Sequence, residues 1–545
     1  MPATSRDADV IVIGSGAGGL ATAAYLAALG RHVVVVERSS MPGGNTAAFT
    51  HDGYEFDIGL HYLGSSSRSR PALRALLEPL GIDLAFREQD PDGFDVLLFE
   101  DMTFAVPRGV EAFRARLHEA FGAERGAIDR FLARTVAIGT ELESAPPARP
   151  ADVPAYAWGV RHVLASARTT LGRELDRVDC SPRLRAVLSW LHGTYALPPA
   201  RASLAIHAAV TMHYLGGSFY PEGGANAVSG ALVDALRRHG GELLLDTEVV
   251  RILVEDGAAR GVRLAPGPRG TAPAAEELRA PVVVSAMDLK RTFLDLLAPG
   301  EVPGGLRRRV RGYEMPAPLF VVYAVLDRDL AAEGYGNRNW HVVDCDDLDG
   351  YYAALERGQL PAQTWTWVTS ASLKDPGNRR LCRPGQTNVQ LMCATTASRE
   401  FWHVGPDLRP RPGYEERKRQ LRDRVVAAAE RAIPGIGESI VHEEAATPAT
   451  LERFLGSSGG TAYGIACTPR QFLAGRPAPA TRIPGLFLAG ASTRRGHGIA
   501  GVIAGGIETA GAVAGTPAVR AVRAAAAAAA PADRAPEPRA PEPVA

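Results

Sequence analysis

The chain has 545 residues, 46% of them hydrophobic, and its Lys+Arg and Asp+Glu totals are both 60. That length and apolar content exclude a disordered chain overall and leave room for two or three domains with large cores. Zero net charge excludes a general field drawing it to nucleic acid.

The opening, Met1 to Asp9, carries Arg6, Asp7 and Asp9 in place of an apolar core, so no signal peptide is expected. The apolar, β-branched run Val10 to Ile13 ends abruptly in glycine, which predicts a buried parallel strand. Gly14, Gly16 and Gly19 then fit Gly-x-Gly-x-x-Gly, and the Ala/Leu-rich stretch Leu20 to Leu29 predicts a helix starting in that turn. The first glycine permits the tight turn, the second lets backbone approach a pyrophosphate, and the third allows close helix-to-strand packing. Phosphate would sit at the helix N-terminus. A second strand, His32 to Val36, ends in Glu37, placed to accept hydrogen bonds from an unphosphorylated ribose. A second glycine pair, Gly43 and Gly44, suits an extended flavin cofactor.

From about 110 to 215 strand alternation is missing, and stretches such as "VEAFRARLHEAFGAERGAIDRFLARTVAIGTELE" predict helices. The next segment predicts a glycine-containing loop, a helix, a strand ending near Thr247 to Val250, and a hairpin across Asp256 and Gly257. "PVVVSAM" is another buried strand, and a β-rich stretch runs through "PLFVVYAVL", "TWTWVTS" and "TNVQLMCATT". "YEERKRQLRDRVVAAAERAI" predicts an amphipathic helix. "IPGLFLAGASTRRGHGIAGVIAGGIETAGAVAG" then repeats the opening's logic of strand, glycine-rich turn and small-residue helix. From Pro517 the Ala/Pro-rich end lacks larger apolar residues and is expected to be a disordered tail, 517–545.

Five cysteines without Cys-x-x-Cys spacing argue against a metal or disulfide framework, and a reducing cytoplasm is the default location. No uninterrupted apolar run reaches membrane-spanning length. Lysine occurs only at Lys290, Lys374 and Lys418, so arginine runs carry little weight by themselves. Arg307, Arg308, Arg309 and Arg311 read as a solvated helix face, with contact to anionic lipid as the alternative.

At the opening motif, "GYEFDIGLHYLG", "YPEGGANAVSGALVDAL", "VVVSAMDLKRTFLDLL", "GGTAYGIACTPRQ" and "LFLAGASTRRGHGIAGV", the chain resembles the FAD-dependent phytoene desaturase, carotenoid isomerase and retinol saturase family. The likeness covers nearly everything except the tail. It implies an α/β fold: a split, Rossmann-like FAD-binding domain with a mostly parallel sheet, from 6–75, 220–300 and 480–516, and a mixed β-sheet and helical substrate or cap region from 76–219 and 301–479. By position, Gly14, Gly16, Ala17, Gly19, Glu37 and Arg38 inherit contacts to the adenine nucleotide. Gly44 would pass the phosphates, and the Val249 backbone would face the adenine. Gly490, Ala491, Gly498, Ile499 and Val502 match the segment beside the ribityl chain and isoalloxazine. Many relatives carry an acid where this chain has Ala491 and Ser492, which leaves the ribityl contact open.

Flavin chemistry on a polyene asks protein for position, apolar walls and exclusion of water, and no convincing triad or metal site stands out. The leading expectation is oxidative desaturation of an elongated hydrophobic substrate, with isomerisation or saturation close behind. A flavin amine oxidase and a non-enzymatic prenyl-protein escort are the rivals. His61 is the one side chain singled out near the ring, as a proton-moving group or as a loop-shaping histidine. Tyr62 and Tyr463 are expected to line the substrate site. Tyr195, Tyr214 and Tyr220 are weaker lining candidates, and His207 and His213 read as core or channel-wall histidines. A hydrophobic small molecule and peripheral membrane contact are the expected partners, with the oligomeric state left open.

Overall fold

The computed structural model describes residues 6–66, 70–143, 153–266 and 276–529. Five strands form a parallel sheet in the order Glu242–Leu244, Val33–Val36, Val10–Ile13, Val282–Ser285, Leu486–Leu488, with Val10 in register with both Val33 and Val282. Runs of Val and Ile suit this sheet because both of its faces are covered. Val10, Val12, Val33 and Val35 pack beneath the helices Ala17–Ala28, Gly224–Arg238 and Ile499–Ala514. Their neighbours Ile11, Ile13, Val34 and Val36 pack against Ile252, Val262 and Leu278 of a small meander and Phe293 beyond it.

That meander contains the expected hairpin, Val249–Glu255 turning at Asp256 and Gly257 into Ala258–Leu264. The single strand expected to end near Val250 is instead two: Glu242–Leu244 joins the parallel sheet, and Val249–Glu255 begins the meander.

A seven-stranded mixed sheet carries the rest, in the order Thr103–Val106, Asp95–Leu98, Asn339–Val343, Trp365–Thr369, Thr387–Ala394, Leu319–Leu326, Ile440–Ala446. Its two faces separate cleanly. Phe320, Val322 and Ala324 pack on the helix Tyr414–Ala429, whereas Leu319, Val321 and Tyr323 face a cavity. Over the far end of that cavity lies a helical cap whose helices include Val110–Ala120, Arg125–Leu142 and Leu204–Leu215.

The expected tail needs correction over its first part. Ala518–Ala529 is a helix, and Ala518 and Val522, one turn apart, are buried in the core that also holds the first helix. Alanine is the strongest helix former, so two small apolar residues at i and i+4 suffice to dock the segment. Residues 530–545 lie outside the described part. Among the described residues no single helix is long and apolar enough to cross a membrane; Ile499–Ala514 and Ala518–Ala525 pass together but bend by 76°. The arginines of the Gly304–Arg311 helix follow the solvated pattern, with Val310 buried and Arg308, Arg309 and Arg311 exposed.

Candidate active site and cofactor groove

The first strand delivers its chain into a turn where Gly14 has φ +93° and its N–H donates to the Val36 carbonyl at 2.9 Å. The glycines of this turn serve different ends. A Cβ on Gly16 would meet nothing within 4 Å, so the space above it is open, and Gly16 lines the cavity. A Cβ on Gly19 would stand 2.2 Å from the Gly14 carbonyl oxygen and 2.8 Å from the Ala286 Cβ. Gly19 therefore seats the helix against the strands and does not line the cavity, unlike Gly14, Gly16 and Ala17. Gly43, at φ +119°, donates its N–H to the Ser15 carbonyl at 3.0 Å and brings Gly44 alongside Gly16.

Glu37 ends the second strand inside the cavity. The Ser15 N–H and hydroxyl both donate to its Oε2 at 2.8 Å, and the Ser39 N–H donates to Oε1 at 2.8 Å. These bonds fix the carboxylate while leaving acceptor capacity for a diol. Arg38 also lines the cavity and donates to the carbonyls of Arg453 and Phe454, both at 2.8 Å. Val249 reaches the wall from the start of the meander.

The closing glycine-rich end meets the opening one directly. A Cβ on Gly18 would lie 3.1 Å from the Gly490 Cα, and one on Gly506 would lie 2.3 Å from the Gly18 carbonyl. The Thr22 hydroxyl sits 3.0 Å from the Gly506 carbonyl. Gly490, Ala491, Gly498, Ile499 and Val502 all line the same cavity, so that the N-terminus of Ile499–Ala514, with its unpaired N–H groups, opens onto it. Where the resemblance leads to the expectation of an acid, Ser492 accepts the Ile465 N–H on its hydroxyl at 3.2 Å.

Behind this loop lies Arg476, 2% exposed. Its guanidinium donates to the carbonyls of Ala491 (2.5 Å), Thr493 (3.0 Å) and Gln471 (3.3 Å) and to the Cys467 sulfur (3.2 Å). All four acceptors are neutral. Nothing in the local spacing of "LAGRPAP" announces this buried cation; it becomes visible only when the last strand is docked.

The cavity, about 1130 Å³, continues from this groove into a chamber between the seven-stranded sheet and the cap. Its volume exceeds the roughly 300 to 1,000 Å³ of a site for one small ligand, as a dinucleotide with a substrate beside it requires. Tyr62, His61 and Tyr463 line it, as do Trp190, Trp365 and Trp367. The Tyr62 ring stacks on Tyr214 with centroids 4.2 Å apart, and His61 meets Trp367 edge-on at 5.1 Å. The His61 ring nitrogens have no protein partner among the described residues. Burial, and then the Lys374 charge, push His61 down to about 3, and burial pushes His192 and His497 down to about 3 as well. These three imidazoles are therefore neutral at pH 7.

Of the weaker lining candidates only Tyr214 reaches the cavity. Tyr195 is buried behind it, its hydroxyl 3.2 Å from His207 Nδ1, and Tyr220 is tied to the Asp57 carboxylate. Both are removed by their own hydrogen bonds, which turn them into the core. His207 is a core histidine, and His213 is a wall histidine that accepts the Gly64 N–H at 3.0 Å.

Sequence reasoning missed a polar cluster behind the wall. Asp95, fully buried, accepts from Tyr62 (3.3 Å), Trp190 (3.2 Å) and Asn339 (2.9 Å). Lys374, 1% exposed, donates to the His61 carbonyl (2.8 Å), Asn339 Oδ1 (2.6 Å) and Thr369 Oγ1 (2.5 Å). Burial lowers Lys374 to about 7 against the opposing pull of Asp95 and Asp57. The available signal was its rarity, one of three lysines in an arginine-rich chain.

A parallel sheet whose two glycine-rich ends meet over one open cavity defines a flavin-dinucleotide oxidoreductase, and the residues fit that cofactor: an open floor at Gly16, a fixed acid at Glu37, and a helix N-terminus at Ile499. The chain belongs to the flavin containing amine oxidoreductase family, which it matches over residues 17–514. It is 26% identical over 485 residues to the all-trans-retinol 13,14-reductase of Danio rerio, covering 84% of this chain and 78% of that protein. It is 28% identical over 539 residues to the chloroplastic prolycopene isomerase 1 of an Oncidium hybrid cultivar, covering 94% and 84%. Among solved structures, putrescine oxidase bound to putrescine superposes with a TM-score of 0.62 at 15% identity, covering 94% of this chain and all of that one (100%). An oxidoreductase from Methanosarcina mazei gives 0.59 at 16% identity, covering 91% and 98%. At such identities the likeness is one of fold. The protein is thus an FAD-dependent enzyme.

Proposed function

We propose that this enzyme exchanges hydride with a carbon–carbon bond of an elongated, hydrophobic, conjugated polyene. The observation that carries the reading is the continuity of the cofactor groove with an aromatic chamber in which His61 and His192 are neutral. Bound flavin supplies hydride acceptance and donation at a ring nitrogen. The chain's own residues do the rest. Trp190, Trp365 and Trp367 offer flat apolar surfaces to a rigid conjugated chain, and the stacked pair of Tyr62 and Tyr214 narrows the passage. The Tyr62 hydroxyl is held by Asp95, which fixes the ring. Lys374, by gripping the His61 carbonyl, fixes the peptide that presents the imidazole. Water is excluded by these walls, and His61 acts as a neutral hydrogen-bonding group.

The names of the relatives support reaction at an existing double bond, by saturation or isomerisation, ahead of the desaturation expected from sequence. An anaerobic assay separates the three. Oxidised enzyme bleaching with a saturated precursor signals desaturation, reduced enzyme reoxidised by a polyene signals saturation, and cis/trans change without net redox signals isomerisation. Inertness toward every polyene together with bleaching by an amine would overturn the reading. Peripheral membrane contact through exposed Arg308, Arg309 and Arg311 is part of the proposal. Sedimentation with vesicles containing anionic lipid, but not with neutral ones, is its expected outcome, and equal sedimentation with both removes it.

A further inference from the structure

At the cavity rim, away from the cofactor floor, two histidines and a carboxylate gather from two unrelated elements. His51 ends the strand Ala48–His51, Asp52 and Gly53 form the tight turn into Tyr54–Asp57, and His442 stands on the edge strand Ile440–Ala446. The turn has φ +49° at Asp52 and +83° at Gly53, the paired left-handed geometry of a two-residue hairpin, which holds Asp52 in one place. His51 Nδ1 lies 3.3 Å from His442 Nε2 and 3.9 Å from Asp52 Oδ2. The three ligand atoms lie within 4.8 Å of one another.

We infer that His51, Asp52 and His442 bind a divalent ion of the zinc class, with water completing its shell. A tetrahedral ion with bonds of about 2.1 Å sets its ligands about 3.4 Å apart, which the two facing imidazole nitrogens match at 3.3 Å. Asp52 Oδ2, 3.9 Å from His51 Nδ1 and 3.8 Å from His442 Nδ1, closes in by a side-chain rotation when the ion binds. Two imidazoles with one carboxylate favour Zn²⁺, Ni²⁺ or Cu²⁺ over Mg²⁺ or Ca²⁺. A second feature points the same way. His51 turns its other nitrogen, Nε2, toward Glu444 Oε1 at 3.6 Å, the outer carboxylate that orients a metal-bound imidazole. His442 is held by ring contacts with Tyr54 and Phe56, so its orientation does not depend on the ion. The ion ties the hairpin that follows Gly43 and Gly44 to the edge of the substrate sheet, beside His51 and Glu444, which line the cavity.

Flavin-loaded enzyme stripped with chelator should take up one equivalent of Co²⁺, giving visible ligand-field bands of low-coordinate nitrogen and oxygen ligation, displaced by Zn²⁺. Zn²⁺ should also raise Tm, since it binds only the folded site. His442→Phe keeps an aromatic ring and removes the nitrogen; it should weaken Co²⁺ binding by at least about tenfold, the lower end of what even an outer partner contributes. Asp52→Asn keeps the turn and should weaken it less. Flavin absorbance checks that each variant is folded. No saturable uptake, or uptake unchanged in both variants, overturns the site and leaves a plain histidine pair with Asp52 serving its turn alone.

Discussion

The cofactor groove and the substrate chamber share one cavity but are built from different materials. The groove is made of backbone: Gly14, Gly16, Gly43, Gly44 and Gly490 matter for the space they leave, and each lies next to a strand or helix end. The chamber is made of side chains, with Trp190 from the cap, Trp365 and Trp367 from one strand and Tyr463 from a late loop. At backbone sites an added side chain takes either packing space or cofactor space, whereas side-chain walls tolerate exchange of one neutral group for another. The two halves should therefore fail differently when changed.

The largest effects belong to the glycines, and two neighbours separate folding from binding. Gly19→Ala drives a Cβ to 2.2 Å from the Gly14 carbonyl oxygen and 2.8 Å from the Ala286 Cβ, and neither the backbone oxygen nor the short alanine side chain can swing away. The expected result is insoluble protein. Gly16→Val adds its branch to open space, so the protein should fold, yet flavin content should drop by about tenfold or more because the phosphate floor is filled. The ratio of flavin to protein absorbance in the soluble fraction measures both. A yellow, soluble Gly19→Ala variant would remove the packing argument.

Arg476 sharpens the comparison, since it is a side chain that supports the backbone half. Arg476→Gln leaves several buried acceptors around Ala491, Thr493 and Gln471 without a donor, for a loss of about 3 kcal/mol at roughly 1 kcal/mol or more each. Denaturant unfolding of the holoenzyme should show that loss together with weaker flavin retention. Unchanged stability would mean that the loop finds other donors.

How much could be read in advance follows the same division. Val10–Ile13, Gly14 to Gly19 and Glu37 are contiguous, and their spacing encodes their geometry, as does the strand, turn and helix at Leu486–Ala514. The chamber's walls are set by strand register: Trp367 faces His61 only because Trp365–Thr369 pairs with Asn339–Val343 and Thr387–Ala394. No local spacing carries that. Asp95 and Lys374 meet through Asn339, three segments that come together only in the sheet and the short helix Ala371–Lys374 beside it. At Ala518–Ala529 alanine's helix propensity outweighs the absence of large apolar residues, so the first part of the Ala/Pro-rich end folds as a helix.

Lys374 gives a pH signature to the chamber side. Its folded value is lowered to about 7 from 10.5, so between these values the unfolded chain binds more protons than the folded one. Stability should therefore rise with pH across that window, by at most about 1.4 kcal/mol per pH unit from this group. Lys374→Met should flatten that slope relative to wild type in unfolding titrations from pH 7 to 10. Parallel curves for the two proteins would assign the lysine an ordinary proton affinity.

The smallest effect tests whether the chamber works by shape and neutrality. His61→Gln replaces one neutral hydrogen-bonding side chain with another, and burial already holds the imidazole down to about 3. Flavin content should stay intact, because His61 faces the chamber end of the cavity and the dinucleotide floor is glycine backbone. Turnover should fall by less than about tenfold, below the 10²- to 10⁴-fold typical of a lost general acid or base. The pH–rate profile between 5 and 8 should keep its form, since a group that titrates near 3 contributes no inflection there. A loss of about a hundredfold or more, or an inflection near 6.5 that the substitution abolishes, would show that His61 carries a proton during turnover and that the chamber, like the groove, depends on one irreplaceable group.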